Sequence, residues 1–286
     1  MRKIDVHHHF FPSTYRKADV SAAVGFRTPP EHLPWTPDLS LQNMDALGVE
    51  LAILSVPAGY PHGIDMASLT RARDANRAMA DICALYPRRF AFWGCLGDWR
   101  DVDSAVNMIS YVLDDLHAVG IAVASSYGDG GAAKYIGDDL FDPVWEGLNR
   151  RNTVIFLHGA QTPHSTPIPH AMLGLPITEV PNETAKAIAH LVVSGKTKRY
   201  GSLSFLLAHL GGTTTSIAPR VAALARYMGA TLSEAQILDE FRKCWWDSAL
   251  CTGAAIGGAY EVVSKERVVW GSDFPGGCQI VLLASM

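Results

Sequence analysis

Three consecutive histidines, His7, His8 and His9, stand near the start of this 286-residue chain, between Ile4-Asp5-Val6 and Phe10-Phe11-Pro12. Successive side chains of a strand point to opposite faces, so His7 and His9 share one face and His8 takes the other. Two imidazoles on one face can reach a single metal ion, and alternation puts Asp5 further down the same face. The competing reading is an engineered tag. A run of three that begins after a basic-apolar start and ends in an apolar turn favours ligation instead. Further on, His158, His209 and Asp273 each stand at or just past the end of an apolar run. Neutral imidazole and carboxylate are good ligands for Zn²⁺, with Mn²⁺ as the alternative, and three protein ligands plus water or substrate form the usual catalytic arrangement.

Such residues converge only if the intervening chain brings the run ends together. Thr36 as N-cap, Pro37 in the first turn, apolar residues at helical spacing and Gly48 as a stop predict a helix over 36–47. Helical periodicity recurs at 68–85, 102–117, 141–151, 182–194, 213–227, 233–243 and 252–263. Between these segments lie short apolar runs at 51–56, 90–95, 120–124, 153–158, 203–209, 244–247 and 267–272, which together with 4–9 make eight buried strands. Strands alternating with helices predict a parallel sheet with helical crossovers. Eight units in this length predict an α/β fold, a (β/α)8 TIM barrel occupying 1–286 as a single domain. An open doubly wound sheet is the competitor, but no strand runs into GxGxxG or GxxxxGK[ST]. Gly128-Asp129-Gly130-Gly131 lacks that spacing and reads as a plain turn.

Functional groups of such barrels collect at the carboxyl ends of the strands. Reading those ends in order gives His7 and His9 on the first strand, His158 on the fifth, His209 on the sixth and Asp273 just past the eighth. Any one of them alone would read as hydrogen-bonded structure. Together they form a constellation at one mouth. A dinuclear barrel hydrolase commonly supplies a bridging lysine from the fourth strand. Here that strand reads Gly120-Ile121-Ala122-Val123-Ala124, so the site should hold one divalent ion.

Composition narrows the partners. A formal net charge of −4 leaves no electrostatic footprint for nucleic acid, and no apolar stretch is long enough to span a membrane. The first residues lack a secretory apolar region. Cys83, Cys95, Cys244, Cys251 and Cys278 are scattered and never spaced as CxxC, so a reducing compartment, the cytoplasm, is expected.

The segments IDVHHHFFP, FLHGA, LAHLGGT and VVWGSDFP, in this order, resemble the amidohydrolase superfamily in its mononuclear decarboxylase branch, over nearly the whole chain. That branch includes the aminocarboxymuconate-semialdehyde, γ-resorcylate and 6-methylsalicylate decarboxylases. PWT at 34–36, SSYGDG at 125–130, FDPVWEGL at 141–148 and PNETAKA at 181–187 look most like the last of these. The resemblance implies that His7, His9, His158 and Asp273 are metal ligands and that His209 is the catalytic histidine beside them. It implies a carboxy-lyase that removes CO2 from a hydroxylated aromatic carboxylate, with either Asp273 or His209 delivering a proton to the ring.

Several other residues have two readings. Glu183, at the opening of a helix, either supports a ligand histidine or substrate, or is an acid favoured at a helix N-terminus. Phe10, Trp93, Trp99 and Tyr127 wall an aromatic pocket or pack the core. His164 and His170 read as loop residues. Asp247, ending the seventh strand, hydrogen-bonds in the mouth or is structural.

Two departures from the pattern stand out. The loop after the fourth strand is short, and after Pro275 the chain runs only to Met286, too short for the final helices usual in the family. The outer face around Ile4, Val6, Val268 and Trp270 should then lack a full covering helix, unless a second subunit covers it in a homodimer. A hydrolase or hydratase on the same barrel is the rival function, because the same ion polarises water. A truncated, inactive paralogue is the other.

Overall fold

The computed structural model describes residues 3–13, 15, 32–160, 170 and 172–276. Strands β1 (Ile4–His9), β2 (Leu51–Ser55), β3 (Phe90–Gly94), β4 (Gly120–Ala124), β5 (Val154–His158), β6 (Ser204–Leu207), β7 (Trp245–Asp247) and β8 (Val268–Val269) form one eight-stranded sheet in that order. Every neighbouring pair is parallel. Helices α1 (Pro37–Leu47), α2 (Met66–Leu85), α3 (Val102–Ser110), α4 (Asp142–Asn149), α5 (Leu175–Val193), α6 (Thr214–Ala225), α7 (Glu234–Lys243) and α8 (Gly253–Ala259) lie between successive strands, with α6 and α7 both between β6 and β7. The sheet curls into a nearly closed (β/α)8 barrel. Its two edges meet through Val6 N donating to Trp270 O at 3.2 Å, Asp273 N to His7 O at 2.9 Å and His9 N to Phe274 O at 2.7 Å.

The helix boundaries follow local chemistry. Thr36 Oγ1 accepts from Leu39 N at 3.1 Å to open α1, and Gly48 closes it at φ 66°. Ser233 and Gln236 form a reciprocal capping box that opens α7. Inside the barrel every strand contributes to one layer. Trp93, Phe156, Leu206 and Ala208 are buried there with Val6, Ile53, Ala122, Val154, Trp245 and Val269 packed around them. Trp93 Nε1 donates to Val6 O at 2.9 Å, so the buried indole is not left without an acceptor. This plug is the floor on which the mouth residues stand.

Three expectations need correction. Asp5 does not share the face of His7 and His9. The β1–β2 register slips by one residue between Asp5 and His8, so alternation breaks and the Asp5 carboxylate meets His8 Nδ1 at 2.9 Å. The eighth strand is not six residues long. A turn of 3₁₀ helix ends at Arg267, regular pairing covers Val268–Val269, and beyond them the chain bonds to β1 only at single points. The helix expected from 182 starts at Leu175 and runs through Pro181. Pro181 removes one donor from the helical ladder. Tertiary contact overrides that loss, because Gly159 and Gly212 let the backbones after β5 and β6 press on the carbonyls of Val180 and Pro181. The turn at 128–131 is present as expected, in a short 3₁₀ segment at Gly130–Ala132.

His164, Cys278 and the terminal segment 277–286 lie outside the described residues, as do 14 and 16–31. Of the outer face that segment was expected to leave uncovered, Val6 instead packs inside the barrel against the Trp93 and Phe156 cluster, Ile4 is 46% exposed, and the Lys3 ammonium lies 3.9 Å from the Trp270 ring centroid. No helix among the described residues is long and apolar enough to cross a membrane.

The α5 contact gives a direct test. Gly212 has φ 62°, and a Cβ there would collide with Pro181 O. Gly212→Ala should lower stability by more than about 1 kcal/mol, read as a lower urea midpoint at unchanged slope. An unaltered midpoint would show that α5 does not press on this glycine.

Candidate metal centre

β1 and the bonds that close the barrel bring His7, His9 and Asp273 together. His7 Nε2 and His9 Nε2 are 3.2 Å apart, and Asp273 Oδ1 lies 3.2 Å from the first and 3.1 Å from the second. His158, at the end of β5, completes a group of four whose ligand atoms all lie within 4.8 Å of one another. Three imidazole nitrogens and one carboxylate oxygen around a point this small fit a single divalent cation in chemistry and in spacing. His209 stands beside the group, with Nε2 3.3 Å from His158 Nε2 and Nδ1 3.2 Å from Ala249 O.

Two residues of this mouth are held in costly backbone conformations. His209 has φ 55° and Asp273 φ 59°, the left-handed region that non-glycine residues rarely adopt. Each costs of order 1–3 kcal/mol and persists only where its surroundings over-determine it. For His209 that support comes from Asp247. Asp247 Oδ1 accepts from His209 N at 3.0 Å and from Ala249 N at 2.9 Å, while Oδ2 meets His7 Nδ1 at 2.9 Å. One buried carboxylate thus fixes the ring of His7, leaving Nε2 for the centre, and also the backbone of His209. The hydrogen-bonding reading of Asp247 is the one the structure bears out.

The charges form a coherent set. Burial opposes charge on His7, but the carboxylates of Asp247 and Asp273 overcome it and push its pKa up to about 10. Burial, then the neighbouring imidazoles His209, His7 and His9, holds His158 well below the ordinary imidazole range. His209 is lowered by burial and by His7. Burial works against ionisation of Asp273, yet hydrogen bonds from His7 and His9 keep its pKa well below the usual carboxylate range. Asp247 is lowered because its pairing with His7 outweighs burial. The metal-free group is therefore a proton held on His7 between two carboxylates. Neutral imidazoles and ionised carboxylates around it are the forms that ligate a metal.

A narrow cleft opens beside His9 and His158, walled by Val56, Tyr60, Cys95, Tyr127 and Phe156. Of the aromatics singled out from sequence, Tyr127 lines it. Trp99 stacks behind Tyr127 at 5.6 Å, Phe10 packs edge-on against Trp35, and Trp93 belongs to the plug below. Phe156 and Tyr60 were missed. Phe156 was within reach of sequence reasoning, because it precedes His158 by two residues on one strand and so shares its face. Glu183 is not at a helix start and does not touch a ligand histidine. It is fully buried within α5, accepting from Tyr135 OH at 2.7 Å and pairing with Lys186 Nζ at 2.7 Å. His170 is exposed, away from the group.

A parallel eight-stranded barrel with a His/Asp cluster at its carboxyl-terminal mouth defines a class of metal-site proteins, and comparison with known proteins narrows it. A family described as amidohydrolase matches residues 4–277. A 6-methylsalicylic acid decarboxylase of Aspergillus aculeatus is 33% identical over 281 residues, covering 96% of this chain and 84% of that enzyme. The enzyme of the same name from Penicillium expansum is 31% identical over 284 residues, covering 96% and 85%. A dihydroxybenzoic acid decarboxylase of a Polaromonas species, solved with manganese and the inhibitor 2-nitroresorcinol, superposes with a TM-score of 0.81 at 22% identity, over 100% of this chain and 91% of that one. The structural likeness speaks for the fold. The chain belongs to the amidohydrolase family.

Removing Asp247 should be felt in folding as well as in chemistry. Asp247→Ala leaves His7 and two backbone N–H groups buried without their acceptor. The metal-free chain should lose about 3–5 kcal/mol in denaturant unfolding. A loss under about 1 kcal/mol would show that the carboxylate is dispensable to the packing of this mouth.

Proposed function

We propose that the chain is a metal-dependent, non-oxidative decarboxylase of a hydroxylated aromatic carboxylate of the salicylate type, such as 6-methylsalicylate. The observation that carries this reading is the buried group His7, His9, His158 and Asp273 at the carboxyl-terminal mouth, beside a largely apolar cleft. The similarity to two 6-methylsalicylic acid decarboxylases over nearly the whole chain supports it. These four residues would hold one divalent ion. The nitrogen-rich donor set favours Zn²⁺, and the manganese in a structure of like fold keeps Mn²⁺ as the alternative. When bound, the ion supplies Lewis acidity for the carboxylate and neighbouring oxygen of the substrate.

The chain's own residues do the rest. Tyr127 and Phe156 flank the aromatic ring, and the apolar wall of Val56 and Pro57 excludes water from it. His209 or Asp273 delivers a proton to the ring carbon that bears the carboxylate. The C–C bond then breaks with its electron pair returning to the ring, and CO2 leaves. Geometry favours His209 as the donor, because Asp273 Oδ1 is committed to His7 and His9. With Nδ1–H donated to Ala249 O, Nε2 faces the centre and carries the transferable proton in the imidazolium form, which the approaching substrate carboxylate favours. Solvent then reprotonates the imidazole. A cytoplasmic homodimer is the proposed setting, and the four described cysteines, all free, support a reducing compartment.

The test joins metal analysis to a CO2-release assay on salicylates. The parent chain should contain about one ion and release CO2 from 6-methylsalicylate without opening the ring. His209→Asn should keep the ion and lose ~10²–10⁴-fold in turnover. Ring opening without CO2 would make the protein a hydrolase, and unchanged turnover in His209→Asn would remove that residue from the mechanism.

A further inference from the structure

Asp5 lies outside the group of four, yet it is the most fully engaged carboxylate near it. It is 1% exposed, and each oxygen takes two hydrogen bonds. Oδ1 accepts from His7 N at 3.1 Å and Ser272 N at 2.9 Å, while Oδ2 accepts from His8 Nδ1 at 2.9 Å and Ser272 Oγ at 2.5 Å. Four donors match the lone-pair sites of one carboxylate, so no capacity is left for a metal or a substrate. Its partners lie on both sides of the seam that closes the barrel. His7 and Ser272 each adjoin or are a residue of the metal group.

The far side of this network is equally tied down. Ser272 Oγ also accepts from Phe274 N at 2.9 Å, and Asp273 N donates to His7 O at 2.9 Å. The backbone N–H groups on both sides of Asp273, and its own, are therefore all engaged within one network anchored on Asp5 and β1. Between them Asp273 holds φ 59°, a conformation that has to be imposed from outside. His8, the middle histidine, buttresses the clamp. Its Nε2 meets Ser40 Oγ of α1 at 2.9 Å, and its ring stacks on Phe274 at 4.8 Å.

We propose that Asp5 is a positioning residue for the metal centre. Through Ser272 it imposes the left-handed turn that aims Asp273 Oδ1 at His7 and His9. The inference rests on the reading of His7, His9, His158 and Asp273 as ligands. A carboxylate that merely stabilised the fold would change unfolding and leave metal binding alone. One that sets the aim of a ligand changes affinity and ligand field while the fold persists.

The experiment compares the parent chain with Asp5→Ala, Asp5→Asn and Ser272→Ala, using Co²⁺ as the probe in the metal-stripped protein. Co²⁺ affinity and the visible spectrum of the loaded protein are measured beside circular dichroism. Ser272→Ala removes only the hydroxyl that links Asp5 to Phe274 N, which keeps the test alive if Asp5→Ala does not fold. It should weaken Co²⁺ binding by about 10–100-fold and shift the visible bands. Asp5→Asn retains acceptors, and His8 and Ser272 can reverse their donor roles, so it should recover most of the affinity lost in Asp5→Ala. Folded variants with the parent's affinity and spectrum would overturn the inference while leaving the ligand reading intact. A parent chain that takes up no Co²⁺ would overturn both.

Discussion

The hydrogen bonds from Asp273 N to His7 O and from His9 N to Phe274 O close the barrel, and their partners include three of the four clustered donors or their neighbours. Closing the sheet and assembling the centre are thus a single event. A parallel barrel is slow to close, because its first and last strands are separated by nearly the whole sequence. Here that long-range contact is made by short backbone bonds around side chains that chemistry also needs. The fold gains its last contact where the group gains its carboxylate.

Support for this seam comes from carboxylates that are not ligands. Asp247 reaches across from β7 to orient His7 and to hold the backbone of His209. Asp5 holds β1 to the turn at Ser272. Both are buried, and each is matched by several donors, which is the condition under which a buried charge is tolerated. The mouth therefore consists of an inner layer of four donors, a flanking imidazole, and carboxylates behind them that fix rings and backbone. Below it, Trp93 and Phe156 stack at 5.8 Å and close the floor with apolar rings.

Much of this was legible in the residues themselves. Thr36, Pro37 and Gly48 announce α1 because capping is local chemistry. The eight strands announce themselves because a strand buried on both faces is a run of apolar side chains. His7, His9, His158, His209 and Asp273 stand at strand ends, and a barrel brings strand ends together. What escaped depends on distant parts of the chain. The slip in β1 that turns Asp5 toward His8 is one extra residue, invisible to periodicity. Pro181 reads as a helix start because the glycines that press on that helix, Gly159 and Gly212, lie in other segments. Asp247 meets a histidine 240 residues away. β8 is short because a 3₁₀ turn ends at Arg267 and regular pairing stops at Val269, neither of which the apolar run marks.

The proposed centre has three histidines and one aspartate holding a single ion at the seam of the barrel. Anomalous diffraction from crystals of the Mn²⁺- or Zn²⁺-loaded protein, collected at the absorption edge of the metal, tests it most directly. One strong peak is expected within bonding distance of the Nε2 atoms of His7 and His9, a ring nitrogen of His158 and a carboxylate oxygen of Asp273, with His209 beside it and unbonded. Two peaks at the mouth, or a single peak held by other residues, would contradict it.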